Sequence, residues 1–243
     1  MPYGPRWPVC RRDDHHVSFS PGARSRLTSH DVGRFSGHTL LDHIGRVVCD
    51  VGRLPRKELY EAWEVARRVR RWCRGGRVMD IGGGHGLLAH VMLLLDDSSP
   101  EALVIDPAPA PSATMLHAAL VAEWPRLHGR VTIVADDVRR VPLAATDIVV
   151  SSHACGVLTD HILEAAVAAS ACVAVLPCCH ALALCDAGPL RGWLDGPLAI
   201  DTMRATRLAA HGYHVRTQTI PAAITPKNRL LVGVPAGPPG VRS

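Results

Sequence analysis

Val78-Met79-Asp80-Ile81-Gly82-Gly83-Gly84-His85-Gly86-Leu87-Leu88 is the stretch from which the rest of this 243-residue chain can be read. A short apolar run enters it, three consecutive glycines bend it, and an apolar run to Leu95 leaves it. That order predicts a strand, a tight turn and a helix. Glycine suits such a turn because it takes positive φ and leaves no Cβ between the backbone and a ligand. The dinucleotide fingerprint G-x-G-x-x-G requires a third glycine where the helix packs on the strand. Counted from Gly82, that position is Leu87, so the fingerprint fails. The glycines instead alternate behind an acid, as Asp80-x-Gly82-x-Gly84-x-Gly86. A strand-to-helix turn with no ligand is the plain alternative at this point.

Outward from the turn, strands alternate with helices. Strands are expected over 77–81, 102–106, 130–135, 147–151 and 171–176, and helices over 86–95, 112–123 and 160–169. This alternation predicts a doubly wound, mostly parallel α/β sheet with helices on both faces. Tyr213 to Ile220 and Asn228 to Val234 read as two further strands joined by a short loop containing Pro221 and Pro226, which makes a terminal antiparallel hairpin and seven strands in all. Upstream, residues 1 to about 36 are rich in Pro, Gly, Ser, Arg and His and read as irregular. Leu40, Leu41, Ile44, Val47 and Val48 predict a helix near 38–49, and Pro55 opens a second that runs to about Cys73. The Arg67-Arg68-Val69-Arg70-Arg71 run reads as a solvated face at a helix C-terminus, where cations are favoured. The chain thus divides into a basic, partly helical N-terminal extension (1–76), an α/β domain (77–235) and a loose tail (236–243).

Apolar residues make up 47% of the chain, ample for a core, and no apolar run reaches the ~18–20 residues that span a bilayer. The N-terminus shows no signal-peptide core, so the expected location is cytoplasmic, with the eight cysteines as reduced thiols. Residues 1–77 carry 16 Arg plus Lys against 8 Asp plus Glu, whereas residues 78–243 carry 11 against 14. A basic extension on a mildly acidic core suits a polyanionic partner such as RNA. Only two residues are lysine, however, so arginine-rich coding bias explains the same numbers. Aromatic residues are 4% of the chain, which shows no base-stacking platform.

In a doubly wound sheet the ligand lies beyond the C-terminal ends of the strands. The first strand delivers the glycine turn there, the second Asp106, the third Asp136 and Asp137. The fourth delivers Ser151-Ser152-His153-Ala154-Cys155-Gly156, followed by Thr159-Asp160, and the fifth delivers Pro177-Cys178-Cys179-His180. The D-x-G-x-G-x-G turn resembles the first motif of the class I S-adenosylmethionine (SAM) methyltransferases. With H-x-C-G-x-x-T-D (His153 to Asp160) and P-C-C-H (Pro177 to His180) behind it, residues 77 to 235 resemble one particular methyltransferase family. It includes the acceptor-stem tRNA ribose 2′-O-methyltransferases and the glutathione-S-transferase-C-terminal-domain-containing protein. The glycine motif is generic; the two Cys/His motifs together are distinctive. The zinc-finger segments of the tRNA enzymes are not seen here, so their substrate does not carry over.

The resemblance implies a SAM cofactor held by Asp80, Gly82, Gly84, Gly86, Asp106, Asp136 and Asp137. In it Asp106 would accept the ribose hydroxyls, the Asp136-Asp137 pair would meet the adenine amino group, and Asp80 would orient the turn or the methionine amino group. Neighbouring fourth and fifth strands should bring His153, Cys155, Cys178, Cys179 and His180 together near the transferable methyl. Three readings compete with plain packing. The set lines an acceptor pocket, with His153 or Asp160 as a base; or it binds zinc; or Cys178 or Cys179 is a covalent nucleophile. The first is preferred. No metal is expected, because no C-x-x-C spacing exists. Lys227 and Arg229, in the loop of the terminal hairpin, either face an anionic substrate or are ordinary turn residues. The expected function is SAM-dependent methyl transfer to an unidentified acceptor, RNA being one class that fits. The competing reading is a non-catalytic SAM-binding or RNA-binding module of the same fold. Oligomeric state is not legible.

Overall fold

The computed structural model describes residues 19–237. After a 3-10 helix at Ser29–Phe35 come α1 (Leu40–Val51) and α2 (Arg56–Val69). Then β1 (Val78–Ile81), α3 (Leu87–Leu95), β2 (Ala102–Ile105), α4 (Ala113–Glu123), β3 (Val131–Val134), β4 (Ile148–Ser151), α5 (Val157–Ala169) and β5 (Cys172–Val175) alternate as the apolar pattern predicts. α6 (Gly196–Ala210), β6 (Tyr213–Thr219) and β7 (Arg229–Pro235) complete the chain. The seven strands form one sheet in the order β3-β2-β1-β4-β5-β7-β6. β1 to β5 pair in parallel, and β7 runs antiparallel to both β5 and β6. This is the Rossmann-like sheet expected, with its antiparallel last strand.

The central four-residue parallel strands are covered on both faces, so they read as nearly continuous apolar runs, interrupted in β1 by Asp80. β1 and β4 are buried at every position. Two layers of apolar side chains result. One, on the α3 side, joins Val78, Val104, Val150 and Val232 to Leu27, Phe35, Ile44, Leu59, Val65 and Val69. The other joins Met79, Ile81, Val149 and Val175 to Ile162 and Ala166 of α5. The first layer passes through position 76 without a break, so α1 and α2 pack on the α/β sheet through one continuous core.

Two local readings differ from the sequence expectation. Residues 29–35, expected to be irregular, form the 3-10 helix, with the Asp31 carboxylate accepting the Thr28 backbone N–H at 3.1 Å. α6 was not expected at all. Its inward positions include Arg204, which is 1% exposed, and this buried cation breaks the apolar period. The signal that marks it is at its start: Asp195 accepts the Leu198 N–H at 3.3 Å and Pro197 sits in the first turn.

Candidate active site

Strand order reverses between β1 and β4, and the crevice this creates is where open α/β sheets bind ligands. A pocket of about 430 Å³ lies there. It is lined by Gly82, Gly83 and Gly84 after β1, Asp106 to Ala108 after β2, Ser152 and His153 after β4, and Glu58 and Ala62 of α2. Its size is within the ~300–1,000 Å³ of small-molecule sites.

The glycines divide by task. Gly84 has φ +52°, and a Cβ there would meet no atom within 4 Å. Gly86 has φ +73° and a Cβ would stand 2.9 Å from Val104, so this glycine lets the helix start pack on β2. Gly83 is equally close-packed, 2.7 Å from Val104 and 2.9 Å from the Asp80 carboxylate. Gly82 and Gly84 are thus the two alternating glycines that border open space, whereas Gly86 serves packing.

Asp80 is 1% exposed, accepts the Ala89 N–H on Oδ2 at 3.2 Å, and leaves Oδ1 buried without a partner. Burial pushes its carboxyl up to about 7; the Ala89 N–H opposes this and the nearby Asp106 adds to it. Asp106 accepts the Gly84 N–H at 3.0 Å and the Ala108 N–H at 2.8 Å, fixing the turn while each oxygen keeps a second lone pair. His85 hydrogen-bonds Glu58 at 3.1 Å, which ties the turn to α2. Asp106 and the glycine cradle line the pocket and fit a ligand bearing vicinal hydroxyls, whereas the Asp80 carboxylate lies behind Gly83 and outside the lining. Asp136 and Asp137 lie after β3. Asp137 is bound by Arg139, whose Nη2 stands 2.6 Å away, and Asp136 is 3.9 Å from Arg140.

His153 borders the pocket and is half-buried. Asp160 belongs to a different arrangement. Arg204 donates to it twice, at 2.9 and 2.8 Å, and also to the Gly156 carbonyl at 2.9 Å and to Asp201 at 3.3 Å. Asp201 in turn accepts from His180 Nε2 and from Arg229 Nε, both at 2.7 Å. Burial alone would raise the Asp201 carboxyl, but its bonds to His180 and Arg229 hold it below the usual range. So Asp160, His180 and Arg229, all candidate site residues, meet in one ion-pair network rather than in the glycine-turn pocket. Lys227 is exposed in the hairpin loop. Cys155, Cys178 and Cys179 do converge: the Cys155 and Cys178 sulfurs are 2.8 Å apart and those of Cys178 and Cys179 3.8 Å. Burial pushes the Cys178 thiol well above its ordinary range.

A second and larger cleft, about 790 Å³, opens beyond β5 and β7. Arg67, Arg68 and Arg71 of the expected solvated run line it with Arg229, Thr217, Gln218 and Pro177. Beside it, Arg216 lies 3.7 Å over the ring of Trp72, which is 41% exposed.

Residues 57–184 match a protein family described as "Methyltransferase domain". The chain belongs to that family. No curated protein matches the chain of this methyltransferase in sequence. Solved structures share its fold at low identity. The m1A22 tRNA methyltransferase TrmK of B. subtilis is 16% identical over 71% of this chain and 66% of that one, with a TM-score of 0.46. TrmK of M. capricolum, solved with S-adenosylhomocysteine, is 12% identical over 71% and 67%, at 0.45. An O-methyltransferase family protein of Burkholderia thailandensis is 15% identical over 86% and 68%, also at 0.45. No helix among the described residues of the methyltransferase is long and apolar enough to cross a membrane.

Sequence reasoning missed several residues of these sites. Glu58 and Ala62 reach the methyltransferase's glycine-turn pocket from α2, and nothing local marks them, because the contact depends on how α2 packs against α3. Arg204 was missed with its helix. Trp72 was passed over because it is a single aromatic residue; the ring matters through the arginines around it.

Proposed function

We propose that the chain is a SAM-dependent methyltransferase and that RNA is its acceptor. The observation that carries the cofactor reading is the Asp80 carboxylate: buried, with one oxygen unpartnered, behind a glycine turn that borders the switch-point pocket. In this reading Asp80 holds the cofactor's amino group, Gly82 and Gly84 admit its backbone-facing edge, and Asp106 holds its ribose hydroxyls. Asp136, whose second oxygen is free of a close cation, takes the adenine amino group in preference to Asp137. Bound there, the cofactor supplies an electrophilic methyl on a sulfonium. His153 stands at the pocket edge, where it can accept a proton from the acceptor as the methyl arrives. Positioning supplies most of the rate in such an in-line displacement. Asp160 belongs to the architecture in this reading: it is held by Arg204, which also bonds the Gly156 carbonyl, and takes no part in the transfer. Burial disfavours a free Cys178 thiolate, so Cys178 lines the acceptor region rather than acting as a nucleophile.

The acceptor reading rests on the second cleft. Arg67, Arg68, Arg71 and Arg229 line one groove. Arg67 and Arg68 share Glu64 and Arg229 is paired with Asp201, which leaves Arg71 as the cation without an acid partner among the described residues. Trp72 with Arg216 offers a stacking surface at the end of the groove. Pro177 lines the groove one residue before Cys178, so a strand bound there leads toward the thiol cluster and His153. Incubating the protein with methyl-labelled SAM and fractionating RNA, protein and small molecules tests both parts. Label in RNA is the expected result. Label only in another fraction removes RNA as acceptor; SAM binding with no label anywhere favours the non-catalytic module.

A further inference from the structure

The spacing of cysteines along the chain gives no ligand pattern, but the sheet brings three of them to one place. Parallel pairing of β4 with β5 resumes past both strands as a bridge between Cys155 and Cys179, with the Gly156 N–H donating to the Cys179 carbonyl at 3.1 Å. Cys178 turns inward between them, its sulfur 3.6 Å from the His153 carbonyl. The three sulfurs all lie within 4.8 Å of one another. Cys155 and Cys179 are exposed and Cys178 is half-buried, so an ion can reach them.

We propose that Cys155, Cys178 and Cys179 form a binding site for a thiophilic d10 cation, zinc in the first instance. Zinc–sulfur bonds of about 2.3 Å at tetrahedral angles put sulfurs about 3.8 Å apart. The Cys178–Cys179 separation of 3.8 Å meets this, and the Cys155 side chain, exposed on its loop, has room to open from 2.8 Å. Among the described residues no fourth Cys, His, Asp or Glu joins the cluster. Three protein ligands and one open position are the arrangement of a site that takes water or a substrate atom as its fourth ligand, unlike the closed four-ligand sites that serve folding. A cluster whose members come from two strand ends also explains why the linear spacing conceals it. The site is independent of the acceptor: it follows from the sulfurs alone.

Cobalt titration of the reduced, chelator-treated full chain tests it. The expected result is one equivalent bound with a thiolate-to-cobalt charge-transfer band in the near ultraviolet and tetrahedral d–d bands, both lost on adding zinc. Histidine-only binding elsewhere in the chain gives no such charge-transfer band. Cys155→Ser and Cys179→Ser replace exposed side chains, and circular dichroism of the same samples verifies that each is folded. Each should weaken cobalt binding by at least the roughly 10–100-fold that loss of an outer-shell partner costs. No charge-transfer band in the wild-type chain overturns the proposal. So does a band unchanged in both folded variants, and so does a Cys155–Cys178 disulfide that persists in the presence of zinc.

Discussion

Asp80 and Asp160 are two aspartates set in motif-like surroundings, one at a glycine turn and one at a helix start, and the fold treats them in opposite ways. Asp80 is buried with one oxygen unpartnered, and among the described residues no cation pairs with it. Asp160 receives two hydrogen bonds from Arg204, a guanidinium that is 1% exposed and that also reaches Asp201 and a main-chain carbonyl. An unpaired buried carboxylate is unfavourable by itself and makes sense opposite a ligand; a doubly bonded one is complete. The difference separates an acid left open by the fold from one completed by it, and each half of it can be broken separately.

The largest effect is expected at the turn itself. Gly84→Val should abolish SAM binding. Its branched side chain has only the open space of the pocket to enter, and its φ of +52° costs an L-residue roughly 1–2 kcal/mol. The protein should stay folded, as seen by circular dichroism, while calorimetry shows no binding. A folded variant with unchanged affinity would make the turn purely structural.

Next comes the paired acid. Asp160→Asn leaves the buried Arg204 with Asp201 as its remaining charge partner, and breaking a buried pair typically costs about 3–5 kcal/mol. A denaturation curve should move by an amount of that order, with methyl transfer per folded molecule little changed. Loss of turnover without loss of stability would return Asp160 to the chemistry. His153→Ala makes the converse forecast: methyl transfer should fall by roughly 10², the usual worth of an acid–base group, with SAM affinity within a few-fold. Single-turnover measurements on the acceptor identified by labelling give the number, and full activity would exclude His153.

The smallest effect is a pH dependence. The Asp80 carboxyl sits at about 7 in the folded chain against an ordinary value of 3.8. Raised in this direction, it stabilises the fold fully below about pH 4, and that contribution is lost as pH rises through about 7. Asp80→Asn should therefore flatten the loss of melting temperature between about pH 4 and 7 in the absence of ligand. A cationic amino group needs the charged form, so SAM affinity should weaken as pH falls below about 7, approaching ~tenfold per pH unit. A flat affinity profile would separate Asp80 from the amino group.

The α/β sheet and the glycine turn were legible because both depend on short-range rules: buried parallel strands are apolar runs, and a turn with positive φ needs glycine. Asp80 at the turn and Asp106 after β2 follow from the same rules, since strand ends are fixed once strands are found. Among the other candidates, the meeting of Cys155, Cys178 and Cys179 followed from the expected pairing of β4 with β5, but the grouping of the rest was not legible. His153, Asp160 and His180 all lie just beyond β4 and β5, yet His153 borders the pocket while the other two join the network around Arg204. Arg204 lies 44 residues from Asp160 in the chain, within a helix whose apolar period it interrupts itself.

By itself, then, the sequence determined the elements, their order and the place of the turn, because each of these is set by the residues within it. Only the tertiary structure decided which acid is paired and how the arginine run of α2 comes to line a cleft with Arg229. Those outcomes depend on distances between strands and helices remote in sequence, and burial then sets the protonation of the groups brought together.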